Sequence, residues 1–96
     1  MPSHTPPTEV LLPCKFEAGM FSNEVAVQIE VADGKVVSLF VDSSLVSEED
    51  GQSFLRVTLV GDNGKPHHKS VLLPSECFET GSRWLSVPDS LLLEPA

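Results

Sequence analysis

Between Glu24 and Val41 the chain alternates with a period of two. Val25, Val27, Ile29 and Val31 take every second place, with Glu24, Ala26, Gln28 and Glu30 between them, and Val37, Leu39 and Val41 resume the pattern after Ala32-Asp33-Gly34. Successive side chains of an extended strand point to opposite faces, so this spacing buries one face of a β-ribbon and leaves the other wet. It also sets the register. A two-residue Asp33-Gly34 loop would place Ile29 opposite Ser38 and Val25 opposite Asp42, mixing polar groups into the apolar face. A three-residue loop with Gly34 left-handed in a G1 bulge pairs Ile29 with Val37, Val27 with Leu39 and Val25 with Val41. The apolar pattern selects the bulged loop.

Around this ribbon the sequence shows short apolar runs closed by Pro and Gly, with no helical period. Residues 9–17 form a first strand, and Pro13, which cannot donate to a ladder, argues that it lies at an edge or carries a bulge. Residues 18–23 turn the chain into the ribbon. Residues 42–52 mix small polar groups with an acidic run and read as a solvated loop, its middle pinned to the core by Leu45-Val46 and Glu48-Glu49-Asp50 at its tip. Residues 54–60 make a further strand ended by the hairpin signature Gly61-Asp62-Asn63-Gly64, and residues 70–73 and 83–87 supply two more. Pro74-Ser75 before Glu76-Cys77-Phe78, released at Gly81, predicts a capped single helical turn. Pro88-Asp89-Ser90 before Leu91-Leu92-Leu93 repeats that order, and these leucines are expected to close one mouth of the fold.

The phrase Val10-Leu11-Leu12-Pro13 returns as Val71-Leu72-Leu73-Pro74. The match is short and the middle of the chain has no second copy, so coincidence is the expectation. A structural repeat would set the two segments side by side, as in small barrels. The fold expected is all-β: a small six-stranded, mostly antiparallel barrel or open sandwich with one or two single-turn helices near the C-terminus. It occupies residues 9–96 as a single domain behind a disordered tail, residues 1–8, which holds three prolines among small polar groups. At 96 residues with 41% hydrophobic side chains, the chain has material for one core.

Charge narrows the function. Fourteen acidic residues against six basic ones give a formal charge of −8, and the basic residues are scattered, so nucleic-acid phosphate is repelled. Only Lys65-Pro66-His67-His68-Lys69 gathers positive potential. The N-terminus lacks the basic and apolar regions of a secretory signal, and no apolar run approaches the roughly 20 residues of a spanning helix. A cytoplasmic protein away from membranes is expected, with Cys14 and Cys77 as reduced, buried thiols.

The candidates for chemistry are few. His67 and His68 are metal-ligand types, but neighbours on a strand face opposite ways, and no Cys or His follows at zinc spacing. Cys77 could be a nucleophile activated by the Ser75 turn, yet no partner base accompanies it, and a small apolar packer beside Phe78 is the plainer reading. Glu48-Glu49-Asp50 lacks the alternating oxygen ligands of a calcium loop, and Asp62-Asn63-Gly64 is first a turn. Neither a cofactor nor a metal site is expected.

In the order of its elements the chain resembles PRC-barrel modules. The resemblance rests on Gly34-Lys35-Val36-Val37 opening a strand, an Asp50-Gly51 turn and the late strand Val71-Leu72-Leu73-Pro74. It implies a small β-barrel of the kind used in assembly and RNA-processing contexts, and it carries over no functional residue.

Aromatic rings on the wet face of a sheet often anchor partners. Alternation turns Phe40 away from Val37, Leu39 and Val41, and turns Trp84 outward if Leu85 and Val87 face in. A rim of Glu24, Gln28 and Glu30 would suit a basic partner. The function expected is therefore non-enzymatic: a protein-interaction or assembly module that binds a protein partner or a second copy of itself through Phe40, Trp84, Glu24, Gln28 and Glu30. The alternatives are a small metal- or thiol-dependent protein using His67, His68 and Cys77, and an acidic nucleic-acid mimic that occupies a basic cleft of a partner.

Overall fold

The computed structural model describes residues 8–19, 22–31, 34–62 and 64–93. Seven antiparallel strands, β1 (Thr8–Ala18), β2 (Glu24–Glu30), β3 (Val36–Asp42), β4 (Val46–Glu49), β5 (Gln52–Asp62), β6 (His68–Leu72) and β7 (Trp84–Pro88), form one curled half-barrel sheet. Single 3-10 turns at Ser43–Leu45 and Asp89–Leu91 complete the regular structure of the described residues. The path through the sheet is β3-β2-β1-β5-β6-β7, with β4 lying off it against β5. Residues 1–7 of the expected tail lie outside the described residues, and Thr8 already belongs to β1.

The β2–β3 ribbon has the register that the apolar pattern demands: Val25 opposite Val41, Val27 opposite Leu39, Ile29 opposite Val37. A hydrogen bond from the N–H of Val31 to the carbonyl of Lys35 (2.8 Å) closes it over a three-residue loop, and Gly34 is left-handed at φ 71°. The other two loop residues lie outside the described set. All six paired side chains are buried, and they join Val10, Leu12, Leu55, Val57, Val71, Leu73 and Val87 in one apolar cluster. All but Leu73, which directly follows β6, come from the inward side of an alternating strand, so one contiguous core supports the sheet.

β5 is the hub. Along one edge it pairs with residues 8–14 of β1, while β4 and β6 share the other edge, opposite residues 52–55 and 58–62. A bulge at Val60 separates Leu59 from Gly61 in the β6 ladder and leaves Val60 exposed. The recurring apolar phrase thus lies on either side of β5, in β1 and in β6, and not side by side. β1 is a central strand and not an edge. It passes from β5 to β2 near Pro13, pairing with β2 from Lys15 onward. Alternate residues of a strand bond to the same side, so the missing N–H of Pro13 falls on the side where Leu11 bonds to Leu93, between that bridge and the β2 ladder. Proline is tolerated there because, among the described residues, no strand pairs with it on that side.

The acidic stretch expected as a loop is instead half of a hairpin. Val46 pairs with Leu55 and Glu49 with Gln52, leaving Asp50 and Gly51 as a two-residue turn at φ 52° and 79°. Two positive φ values are the mark of a type I′ turn. Leu45 and Val46 do pack on the core, as expected, and Glu48 and Glu49 stay exposed.

Near the C-terminus, the 3-10 turn Asp89–Leu91 stands where a single helical turn is expected, and Leu91 and Leu92 pack on the core. Around Glu76-Cys77-Phe78 the chain makes only one hydrogen-bonded turn, closed from the N–H of Gly81 to the carbonyl of Cys77 (2.8 Å) with Gly81 at φ 67°. Ser75 caps no helix there; its hydroxyl donates to the carbonyl of Phe40 on β3. An open sheet edge took the hydroxyl that a helix start would otherwise use.

Candidate docking site

β3 ends the sheet path, so its outward N–H and C=O groups need partners from elsewhere. The segment between β6 and β7 supplies them. Phe78 N–H donates to the carbonyl of Ser38 (2.9 Å), and the Glu79 carboxylate accepts from Ser38 N–H (2.7 Å) and from the Ser38 hydroxyl (2.5 Å). Those two bonds hold the Glu79 carboxyl below the usual carboxylate range. The same docking brings Phe78 against Phe40, ring centroids 5.0 Å apart and edge to face. Such pairs are favourable because the positive ring edge meets the negative ring face. Phe78 nevertheless remains 63% exposed and Phe40 36% exposed.

Phe40 divides two depressions. On one side lies a cavity of about 290 Å³ lined by Ala26, Gln28, Ser38, Phe78 and the β1 residues Lys15 and Glu17. Its floor is low because Ala26, a methyl group, is the strand partner of Phe40. On the other side a cavity of about 360 Å³ is lined by Glu24, Asp42, Leu45, Pro74 and Ser75. Glu24 and Asp42 are directly opposite each other across the β2–β3 ladder. Asp42 is held ionised there: its carboxylate accepts from the N–H of Ser44 (2.9 Å), which lowers its pKa. The wet face of the ribbon thus offers an aromatic pair, a low shelf over Ala26 and an acidic notch within one stretch of surface.

Of the residues expected to bind a partner, Phe40, Glu24, Gln28 and Glu30 share this outward face. Trp84 is also outward and 57% exposed, but it sits on β7 opposite Leu72 and lines neither depression beside Phe40. Phe78, Glu79, Ala26 and Asp42 belong to the site and were not singled out by the sequence. Asp42 and Ala26 could have been found by register, since both flank Phe40 on the wet side. Phe78 comes from an irregular segment and carried no such signal.

The other candidates fall apart in space or chemistry. His67 lies in the turn before β6, in a left-handed conformation at φ 60°, and His68 opens the strand with its Nδ1 2.9 Å from the carbonyl of Pro66. Cys77 is buried in the core, and that burial pushes its thiol pKa up, against thiolate chemistry. Cys14 is likewise a buried free thiol, its pKa pushed up to about 11 by burial. Among the described residues no ionisable side chain other than these thiols is buried, and no three His, Cys, Asp or Glu side chains gather at metal-binding distance. No helix among them is long and apolar enough to cross a membrane.

No family model, curated protein or solved structure matches the chain, so its likeness to PRC-barrel modules stays one of element order.

Proposed function

We propose that this chain is a non-enzymatic docking module. Its β2–β3 face receives a segment of a protein partner that carries an apolar side chain next to a lysine or arginine. The observation that carries the reading is the position of Phe40, with an apolar shelf over Ala26 on one side and the opposed carboxylates of Glu24 and Asp42 on the other. A cation seated beside those carboxylates would be attracted by both and could lie against an aromatic ring, an interaction worth about 0.5–1 kcal/mol at an exposed site. The neighbouring apolar residue would cover Phe40 and Phe78, large rings of the kind that dominate binding energy at interfaces. A net charge of −8 would speed the approach of such a partner.

Selection of displayed random peptides on the purified protein tests this. Retained peptides should be enriched in Lys or Arg beside Leu, Ile, Phe or Met. Binding should weaken at least about tenfold in Phe40→Ala and in Glu24→Lys, the loss expected when an interface anchor is truncated. Selected peptides that bind folded Phe40→Ala and Glu24→Lys as tightly as the parent protein would remove the proposal. If Trp84→Ala alone abolished binding, the face would be misplaced.

A further inference from the structure

Half of one edge of β1 is left open. Alternate residues of a strand bond to the same side. Gly19 donates to Glu24 at the start of β2 (2.9 Å) and Leu11 bonds to Leu93, so odd-numbered positions of β1 serve that side and even-numbered ones the side of β5. The β5 ladder stops where Cys14 meets Ser53. Phe16 and Ala18 therefore turn their N–H and C=O groups to a side on which no described strand continues. We propose that this slot receives an extended segment of a protein partner as an added strand, with apolar residues opposite Phe16 and Ala18 and a lysine or arginine between them opposite Glu17.

Three features set this slot apart. The first is that other edges of the sheet are blocked, as exposed edges usually are. The 75–79 segment covers β3, the N–H of Val46 on β4 is taken by the carbonyl of Ser43, and on β7 Pro88 has no donor while Trp84 N–H goes to the Ser82 hydroxyl (3.0 Å). Neither a proline nor a capping side chain serves Phe16 and Ala18 among the described residues. Next, Phe16 is the strand partner of the fully buried Val27 and so faces the apolar side of the sheet, yet it is 39% exposed. An apolar side chain on an added strand would cover it, because cross-strand neighbours on one face touch. Finally, the slot ends at an acidic tip. Gln52, the first residue of β5, lines a cavity with Lys15, and its own strand partner Glu49 stands with Glu48 and Asp50 in the β4–β5 hairpin.

Charge selects a basic partner over a second copy. Full antiparallel overlap of residues 16–18 with a second copy centres on Glu17 and sets two Glu17 side chains opposite each other, which is unfavourable. Shifting the centre to Phe16 brings the copy's Ala18 to Cys14, whose bonding side Ser53 already holds. A segment with a cation opposite Glu17 and a neutral residue opposite Lys15 meets neither obstacle, and the net charge of −8 favours its approach. Main-chain bonds would give the affinity and the alternating side chains the specificity, as in other cases of strand addition. The slot rests on the main chain of β1 and not on Phe40, Glu24 or Asp42, so it and the docking face can fail separately.

The test adds a blocked peptide, acetyl-Thr-Val-Lys-Val-Thr-amide, to isotopically labelled protein at fixed ionic strength. Before addition, the amides of Phe16 and Ala18 should exchange with solvent faster than those of Lys15 and Glu17, which face β2. With peptide they should slow, and their chemical shifts should saturate. The same peptide with N-methylated valines lacks the donors a ladder needs and should require at least about tenfold more to half-saturate. Glu17→Lys should weaken binding by about threefold or more and should favour the counterpart peptide with glutamate in place of lysine. Ala18→Pro removes a donor on the slot side and none toward β2, and should weaken binding about fivefold. Linear, unsaturated shifts would overturn the slot, and so would equal binding of the methylated peptide or equal binding by both variants. Binding lost in Phe40→Ala but intact in Ala18→Pro would place the peptide on the docking face and remove the slot alone. Concentration-dependent shifts of the Phe16 and Ala18 amides without peptide would make a second copy the occupant and overturn the assignment.

Discussion

Glu79 shows what one side chain does for this fold. Its carboxylate takes both the N–H and the hydroxyl of Ser38, a residue 41 positions away, and so ties the β6–β7 segment to the last strand of the sheet. Because folding lowers its pKa, the bond pair adds stability above the unfolded carboxyl value, roughly 4.3 for Glu, and that contribution fades as the pH falls through the lower folded value. Glu79→Gln keeps the shape and removes the charge. The variant should melt below the parent protein at pH 7, and the gap should close on going to pH 3. Thermal melts of both proteins at pH 7, 5 and 3 check this, and a gap that ignores pH would mean that the charge is idle. Nothing in the sequence foretold the pairing, since it joins two positions with no shared periodicity. The outward placement of Phe40, by contrast, followed from alternation alone, because a buried face leaves its complement no other direction.

Hairpins differ in how clearly they are written. The β2–β3 ribbon could be read down to its pairs because seven apolar residues constrain one register, and a slip by one would expose them all. The β4–β5 hairpin was hidden because only Val46 of its first strand is apolar, so composition favoured a loop. Its real signal was the turn. Asp50 and Gly51 adopt the two left-handed conformations that a two-residue hairpin requires, and only Gly does so without cost. Gly51→Ala has open space for its methyl group, so its penalty is conformational and should be about 1 kcal/mol. Asp50→Asn, a residue tolerant of positive φ, should change stability by no more than about 0.5 kcal/mol. Urea denaturation of the two variants compares them directly. A silent Gly51→Ala would mean that the turn is not type I′. Pro13 misled in the opposite sense: it marks a gap on one side of a central strand, not an edge strand, and a sequence shows the missing donor but not the side on which it is missing.

At the scale of the whole molecule, the sheet is closed by irregular chain. Ser75, Phe78 and Glu79 cover β3 at one end of the path, and in its middle Leu93 exchanges two hydrogen bonds with Leu11 (2.7 and 2.9 Å) on the side of β1 that β5 does not use. Covering an edge with a loop prevents it from pairing with another chain. The C-terminal cover also buries apolar surface, since Leu91 and Leu92 pack on the core half-buried, together worth roughly 2–3 kcal/mol. Ending the chain after Ser90 should therefore have two separable effects. Stability should fall by that burial plus about 1 kcal/mol for each lost hydrogen bond, a large part of the roughly 5–15 kcal/mol that holds a domain folded. The bared side of β1 should also pair between molecules, raising the sedimentation coefficient with concentration. The double variant Leu91→Ala/Leu92→Ala isolates the first effect: it keeps the backbone bridge at Leu93, so it should lose stability yet sediment as the parent protein does. If the shortened chain showed the parent's urea midpoint and sedimentation, the C-terminal leucines would be ornaments on a sheet that closes without them.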